Sequence, residues 1–227
     1  MLLYMYNDWF LFCITFGLML FVTLIRNVQS KYFFTNDVVE RKFNIVDLTL
    51  AAASAELVNI IKGLYVLPAA KSKKAVNAVK TRLYIDFLFM PCAYLSVFIL
   101  CTKVADRMQF PLGYYVFIVL AWLQLVSWLF HIIENVFLLS KINPNPAVPG
   151  VAAYKRYLKM EAAKWGIVLT GAVCSVSAIC YFWLTGHYSP YSLHYILIVS
   201  AEITVFMISR VFLIKEKGIA GKPVENL

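Results

Sequence analysis

The 227-residue chain is 62% hydrophobic and 16% aromatic, and its 21 Lys and Arg outnumber 12 Asp and Glu. A water-soluble domain of this length has too little polar surface to cover such a core, so this composition and a mean hydropathy of +0.74 indicate a membrane protein. The net charge of +9 comes with no nucleic-acid recognition motif, and nucleic acid is not an expected partner.

Crossing a hydrocarbon layer of about 30 Å takes about 20 apolar residues per helix. Five stretches qualify: 8–25, 83–101, 113–139, 165–184 and 192–214. The expected fold is therefore all-α, an integral membrane helical bundle of five transmembrane helices forming one domain over 1–227. The first stretch has no basic residue before it and no small-x-small cleavage site, and Arg26 follows it, so it reads as a retained anchor rather than a cleaved signal.

Between the first two spans, "NIVDLTLAAASAELVNIIKGLYVLP" places Val46, Leu50, Ala53, Leu57, Ile60 and Leu64 at helical spacing. This predicts an amphipathic interfacial helix, its apolar side against lipid or the bundle, ended by Pro68. "AAKSKKAVNAVKTRL" predicts a basic helix leading into span two, so that interfacial helices cover about 45–82. Pro91 removes a backbone hydrogen bond within span two and predicts a kink. "KINPNPAVPG", after span three, is too rich in proline to be helical.

Lys and Arg concentrate in alternate connections: Arg26 to Arg82, Lys141 to Lys164, and the tail with Lys215, Lys217 and Lys222. The positive-inside rule then gives an outside N-terminus and a cytoplasmic C-terminus. The same residues would attract anionic headgroups of the cytoplasmic leaflet. The five cysteines, Cys13, Cys92, Cys101, Cys174 and Cys180, form no C-x-x-C and read as apolar packing residues.

The informative residues are polar ones inside the spans. In span three, Gln124, Ser127, His131 and Glu134 lie at i, i+3, i+7 and i+10, a single helical face with Asn135 beside it. Ionisable groups in spans face the bundle interior or water and find partners there. By topology, Asp86 in span two and Lys164 at the start of span four share the depth of Glu134 and Asn135. Lys164 between Asp86 and Glu134, with Asn135 completing the hydrogen bonds, would satisfy each charge. His131 reads as a hydrogen-bonded packing residue in preference to a haem or metal ligand, because His194 falls in the opposite leaflet. Glu202 lies alone near the middle of span five, where it is either protonated or paired with another subunit. Gly171 and Ser175 form a small-x-x-x-small step that permits close helix approach.

"LYIDFLFMPCAYL", "AWLQLVSWLFHIIENVFLL" and "AAKWGIVL" together resemble a scattered group of uncharacterised bacterial polytopic membrane proteins. These share an Asp-Phe-Leu-Phe stretch, a Glu-Asn stretch and a Lys at the next helix start. The resemblance covers residues 44–184 and supports grouping Asp86, Glu134, Asn135 and Lys164. It implies a bacterial inner membrane but no activity, and His131 stands near the place where such proteins often carry Asp.

No zinc-protease, nucleophile-elbow, phosphate-loop or zinc-ligand spacing occurs, so no metal, cofactor or catalytic residue is indicated, although an enzyme is left open. The polar cluster either fixes helix register or forms a ligand site. The leading expectation is a structural or accessory subunit that binds membrane lipid and other membrane protein subunits. A small proton-coupled carrier using Glu202 and the cluster, and a membrane-embedded enzyme or redox-cofactor binder, are the alternatives.

Overall fold

The computed structural model describes residues 8–36, 39–189 and 192–219. Among them are seven helices: α1 (Asp8–Gln29), α2 (Ile45–Thr49), α3 (Ser54–Val66), α4 (Ala69–Ala105), α5 (Pro111–Lys141), α6 (Val151–Leu184) and α7 (Leu193–Ile219). Five of these, α1 and α4 to α7, include a stretch long and apolar enough to cross a membrane. The chain is an all-α bundle with five such spans.

The long helices run up and down. α4 packs on α1, α5 and α6, α5 packs on α6, and α7 rests chiefly on α1. One end of the bundle holds the last turns of α1 and α5 and the first turns of α4 and α6. That end is built up into a cap. α4 and α6 each begin more than ten residues before the apolar stretch that the sequence marks as a span, and these overhangs are basic and amphipathic. Their inner faces (Ala75, Val76 and Val79 of α4, Tyr154 and Tyr157 of α6) close over Phe33, Phe43, Leu57, Ile60, Ile61 and Leu64. Burying each such Leu or Ile side chain contributes roughly 1.5–3 kcal/mol. The cap is thus a second hydrophobic core, continuous with the bundle through Leu83 and Leu138.

Two features of the cap depart from the sequence reading. First, the helix expected from residue 45 is broken. α2 ends at Thr49 and α3 starts at Ser54. The Asp47 carboxylate accepts from the Asn44 N–H at the start of α2, and Glu56 accepts from the Ala52 N–H just before α3. Those local bonds stabilise two helix starts in place of one continuous helix. The predicted apolar face therefore splits: Leu57, Ile60 and Leu64 are buried, whereas Val46, Leu50 and Ala53 are exposed. The buried side of α3 faces protein.

Second, a short antiparallel hairpin, β1 (Phe34–Asn36) and β2 (Glu40–Lys42), precedes α2. Its Thr35 hydroxyl donates to the Ile60 carbonyl (2.9 Å) and its Glu40 pairs with Lys71 of α4. α3 can lie this close to β1 because residue 63 is glycine: a Cβ there would stand 2.9 Å from the Asn36 nitrogen and also press on the Thr35 hydroxyl.

The opposite end is aromatic. Trp9 stacks on Trp183 with centroids 5.2 Å apart, and Tyr188 meets Trp9 edge-on at 5.5 Å. The Tyr188 hydroxyl donates to the Lys103 carbonyl at 3.1 Å. Burial pushes this phenol up to about 12, against the opposing pull of Arg107, so it remains a donor at neutral pH. Trp and Tyr rings suit a membrane–water boundary because one edge is apolar and one is polar. α6 stops here in a Schellman motif: Gly186 takes φ +74°, its N–H donates to the Trp183 carbonyl, and that of His187 donates to Phe182. The Pro-rich segment 142–150 is non-helical, as its composition predicts, and α4 runs through Pro91 without interruption.

Gly63→Ala should lower stability by about 1–3 kcal/mol, because the obstructing atoms include backbone that cannot rotate away. A thermal melt of the purified protein in detergent checks this, and Gly166→Ala, inside α6 where a Cβ meets open space, should not lower the melt.

Candidate functional site: a buried ionic cluster

Just beneath the cap, α1, α4, α5 and α6 bring together more charge than any single helix reveals. The polar stripe of α5 faces inward as its spacing predicts: Gln124, Ser127, Glu134 and Asn135 are all at most 2% exposed. Gln124 donates to the Leu120 carbonyl (3.1 Å) and to the Ile167 carbonyl of α6 (3.4 Å). Its amide also occupies the space that a side chain at residue 171 would need, which is why α6 carries Gly171 there. Ser127 donates to the carbonyl of Lys164 at 3.5 Å. The upper part of the stripe is thus a seam between α5 and α6.

The lower part meets the charges. Asp86 of α4 is held on both oxygens. Its Oδ1 lies 2.6 Å from Nη1 of Arg26 on α1. Its Oδ2 accepts from Nε2 of His131 at 2.8 Å and from Nδ2 of Asn135 at 3.1 Å. Asn135 also donates to the Leu83 carbonyl, locking its amide in one orientation. With its proton on Nε2, the His131 ring leaves Nδ1 to accept from the Tyr94 hydroxyl, 3.1 Å away. Each polar atom of the ring then has a partner.

A second group lies on the α6 side. Lys164 pairs with Glu134 of α5 and, at 2.8 Å, with Glu161 one turn earlier on its own helix. Lys164, Glu134 and Glu161 are at most 3% exposed. His131 links the two groups, since its Nε2 is also 3.8 Å from Glu134 Oε2. On the α1 side, Arg82 is 8% exposed and donates from Nη1 to the Arg26 carbonyl, closing the last turn of α1. The Arg26 guanidinium lies over the Phe89 ring, 4.1 Å from its centroid.

The account balances. Three cations (Arg26, Arg82, Lys164) face three carboxylates (Asp86, Glu134, Glu161). Desolvating an ion costs several kcal/mol, which pairing offsets only when geometry and remaining hydrogen bonds are good. Here the formal charges sum to zero: Asp86 is held by Arg26, His131 and Asn135, Glu134 lies within reach of Lys164 and His131, and Glu161 pairs with Lys164.

The expected grouping of Asp86, His131, Glu134, Asn135 and Lys164 is therefore brought together, with one correction. Lys164 does not lie between Asp86 and Glu134. Asp86 faces α1, where Arg26 takes the position expected of the lysine, and the second carboxylate on Lys164 is Glu161. Sequence reasoning missed Arg26, Arg82, Tyr94 and Glu161 as members. Glu161 was legible, being three residues before Lys164 on a helix. Arg26 and Arg82 were not, because a basic residue at a span end is also what membrane topology demands.

Glu202 lies elsewhere, on α7 against Gly17 of α1, and takes no part in the cluster. His194 is at the start of α7, at the aromatic end, far from His131 at the capped end. Among the described residues no group of three His, Cys, Asp or Glu side chains is placed to hold a metal ion. The cysteines are free. Two clefts that border α7 are lined by residues of α1, α4, α6 and α7, and no member of the cluster is among their described lining residues. Chemically, the cluster can hold four helices in register, with His131 placing the charges of Asp86 and Glu134 within electrostatic reach of each other.

No protein-family model, curated protein or solved structure matches the chain.

Removing one partner of a buried pair costs about 3–5 kcal/mol, whereas removing both is far milder. Lys164→Met should therefore be strongly destabilising, and Glu134→Gln in the same chain should recover part of the loss. A thermal-stability cycle should give a coupling of at least about 1 kcal/mol for Lys164 with Glu134. The corresponding cycle for Lys164 with Asp86, which do not touch, should be close to additive.

Proposed function

We infer that this chain is a structural or accessory subunit of a bacterial cytoplasmic membrane, binding other membrane protein subunits and lipid. The observation that carries the reading is the contrast between inside and outside. Inside, three buried carboxylates are matched by three buried cations, and among the described residues no member of this cluster lines either cleft beside α7. Outside, α7 carries apolar side chains in every direction, with Leu197, Val205, Val211 and Phe212 each more than half exposed. A helix supported chiefly by one neighbour is suited to insertion against another subunit.

The resemblance to uncharacterised bacterial polytopic proteins supports the same setting and adds no activity. The distribution of basic residues supports an outside N-terminus and a cytoplasmic cap. Lys73, Lys74, Lys155, Arg156 and Lys159 are exposed on that cap, where they would meet anionic headgroups. A membrane-embedded enzyme is the weaker reading, because the clustered acids and bases are already paired.

Purification from native membranes in mild detergent, followed by mass spectrometry, should recover a reproducible set of membrane proteins in fixed ratio with this chain. Recovery as a monodisperse homo-oligomer carrying a small molecule and no other protein would instead favour transport or catalysis. Reporter fusions should place residue 1 outside and residue 227 inside. Both ends on one side would remove the charge argument for the cap's location.

A further inference from the structure

α1 and α7 border a groove of about 400 Å³. Its walls are hydrocarbon: Leu20 and Leu24 on one side, Ile198, Val205 and Phe206 on the other. One residue does not belong in such a place. Glu202 lines the groove near the middle of the apolar stretch His194–Leu213. Its Oε2 is fully enclosed and has no hydrogen-bond partner. Among the described residues no Lys, Arg or His lines the groove.

The carboxyl is accommodated on purpose by the facing helix. Residue 17 is glycine, and a Cβ there would stand 2.7 Å from Oε1 and 3.1 Å from Cδ of Glu202. The glycine opens α1 to the acid, and among the described residues no hydrogen bond reaches Oε2. A carboxylate in hydrocarbon without a counter-charge is costly. What the groove lacks is a cation with an apolar body.

We propose that the α1–α7 groove is a binding site for a lipophilic amine. The ammonium pairs with the Glu202 carboxylate beside Gly17, and the tail lies along Leu20, Leu24 and Val205. The ligand enters laterally from the membrane, because Phe21 and Val205 at the rim are more than half exposed. This site is separate from the ionic cluster and is built from α1 and α7 of the chain itself, so it is tested on the chain without protein partners. Complementary charge in a low-dielectric groove supplies the selectivity, since a neutral lipid chain can fill the hydrocarbon walls but cannot satisfy the acid.

The test uses the full chain in phosphatidylcholine nanodiscs and a pair of probes, a diazirine-bearing long-chain alkylamine and the alcohol of the same length. After photolysis, peptide mass spectrometry locates the adducts. The amine should label peptides of α1 and α7 around Gly17 and Glu202. Excess dodecylamine should suppress that labelling and dodecanol should not. Glu202→Gln, which keeps the shape but not the charge, should reduce amine labelling at least about tenfold, the loss expected of one ion pair, with an unchanged melt. Should Glu202→Gln fail to fold, Gly17→Val is the second variant: it displaces the carboxyl from the groove and should reduce amine labelling likewise. Equal labelling by amine and alcohol would overturn the proposal, leaving a groove that holds acyl chains only. Equal labelling of the wild type and the Gln variant, or no labelling of the groove, would overturn it as well.

Discussion

Charge that has been taken out of water must be answered by charge, and the fold of this protein is arranged around that requirement. Asp86, Glu134 and Glu161 cannot be buried singly in a bundle whose surroundings are hydrocarbon. Each is met by a group from another helix or another turn: Arg26 reaches Asp86 from α1, Asn135 and His131 reach it from α5, and Lys164 reaches Glu134 from α6. The pairings span four helices. They consequently fix not only which helices are neighbours but also the rotation and height of each one, something that apolar side chains do poorly when lipid is as good a partner as protein.

The cap follows from the same constraint. A cluster one or two turns inside a helix end would be open to water unless something covered it. The overhanging starts of α4 and α6, α3 and the β1–β2 hairpin provide that cover with a hydrophobic core of their own. Tyr154 and Tyr157 connect the two layers, since they pack in the cap core and donate to the Ala51 and Thr49 carbonyls at the α2–α3 break. The break that sequence periodicity overlooked is thus fastened to α6. By contrast, among the described residues α7 takes no ionic tie from this system, and its Glu202 keeps a buried oxygen without a hydrogen bond.

Much of this was legible in the sequence because hydrocarbon is an unforgiving background. A charge within twenty apolar residues is conspicuous, and helical spacing assigns it a face, so the stripe from Gln124 to Glu134 and its neighbour Asn135 were read correctly. Depth along the spans then brought Asp86 and Lys164 to the same level. Pairing was less legible. Two acids and one lysine at one depth invite a single triad, and only the packing of α1 beside α4 shows that Arg26 supplies a second cation. Basic residues at span ends serve topology and ion pairing alike, and composition cannot separate the two. The hairpin escaped because three-residue strands carry too little alternation to register.

The central claim is that the ion pairs, rather than apolar packing alone, hold α1, α4 and α5 in register. Hydrogen–deuterium exchange with mass spectrometry on Arg26→Met addresses it directly. Loss of that cation strips Asp86 of its counter-charge, so exchange should rise in the last turns of α1, in α4 around Leu83 to Met90, and in α5 around Asn135. Asp86→Asn in the same chain should bring the α4 and α5 segments back toward wild-type protection, because residue 86 then carries no charge that needs Arg26. Unchanged exchange in Arg26→Met, or a double variant as loose as the single one, would contradict the account.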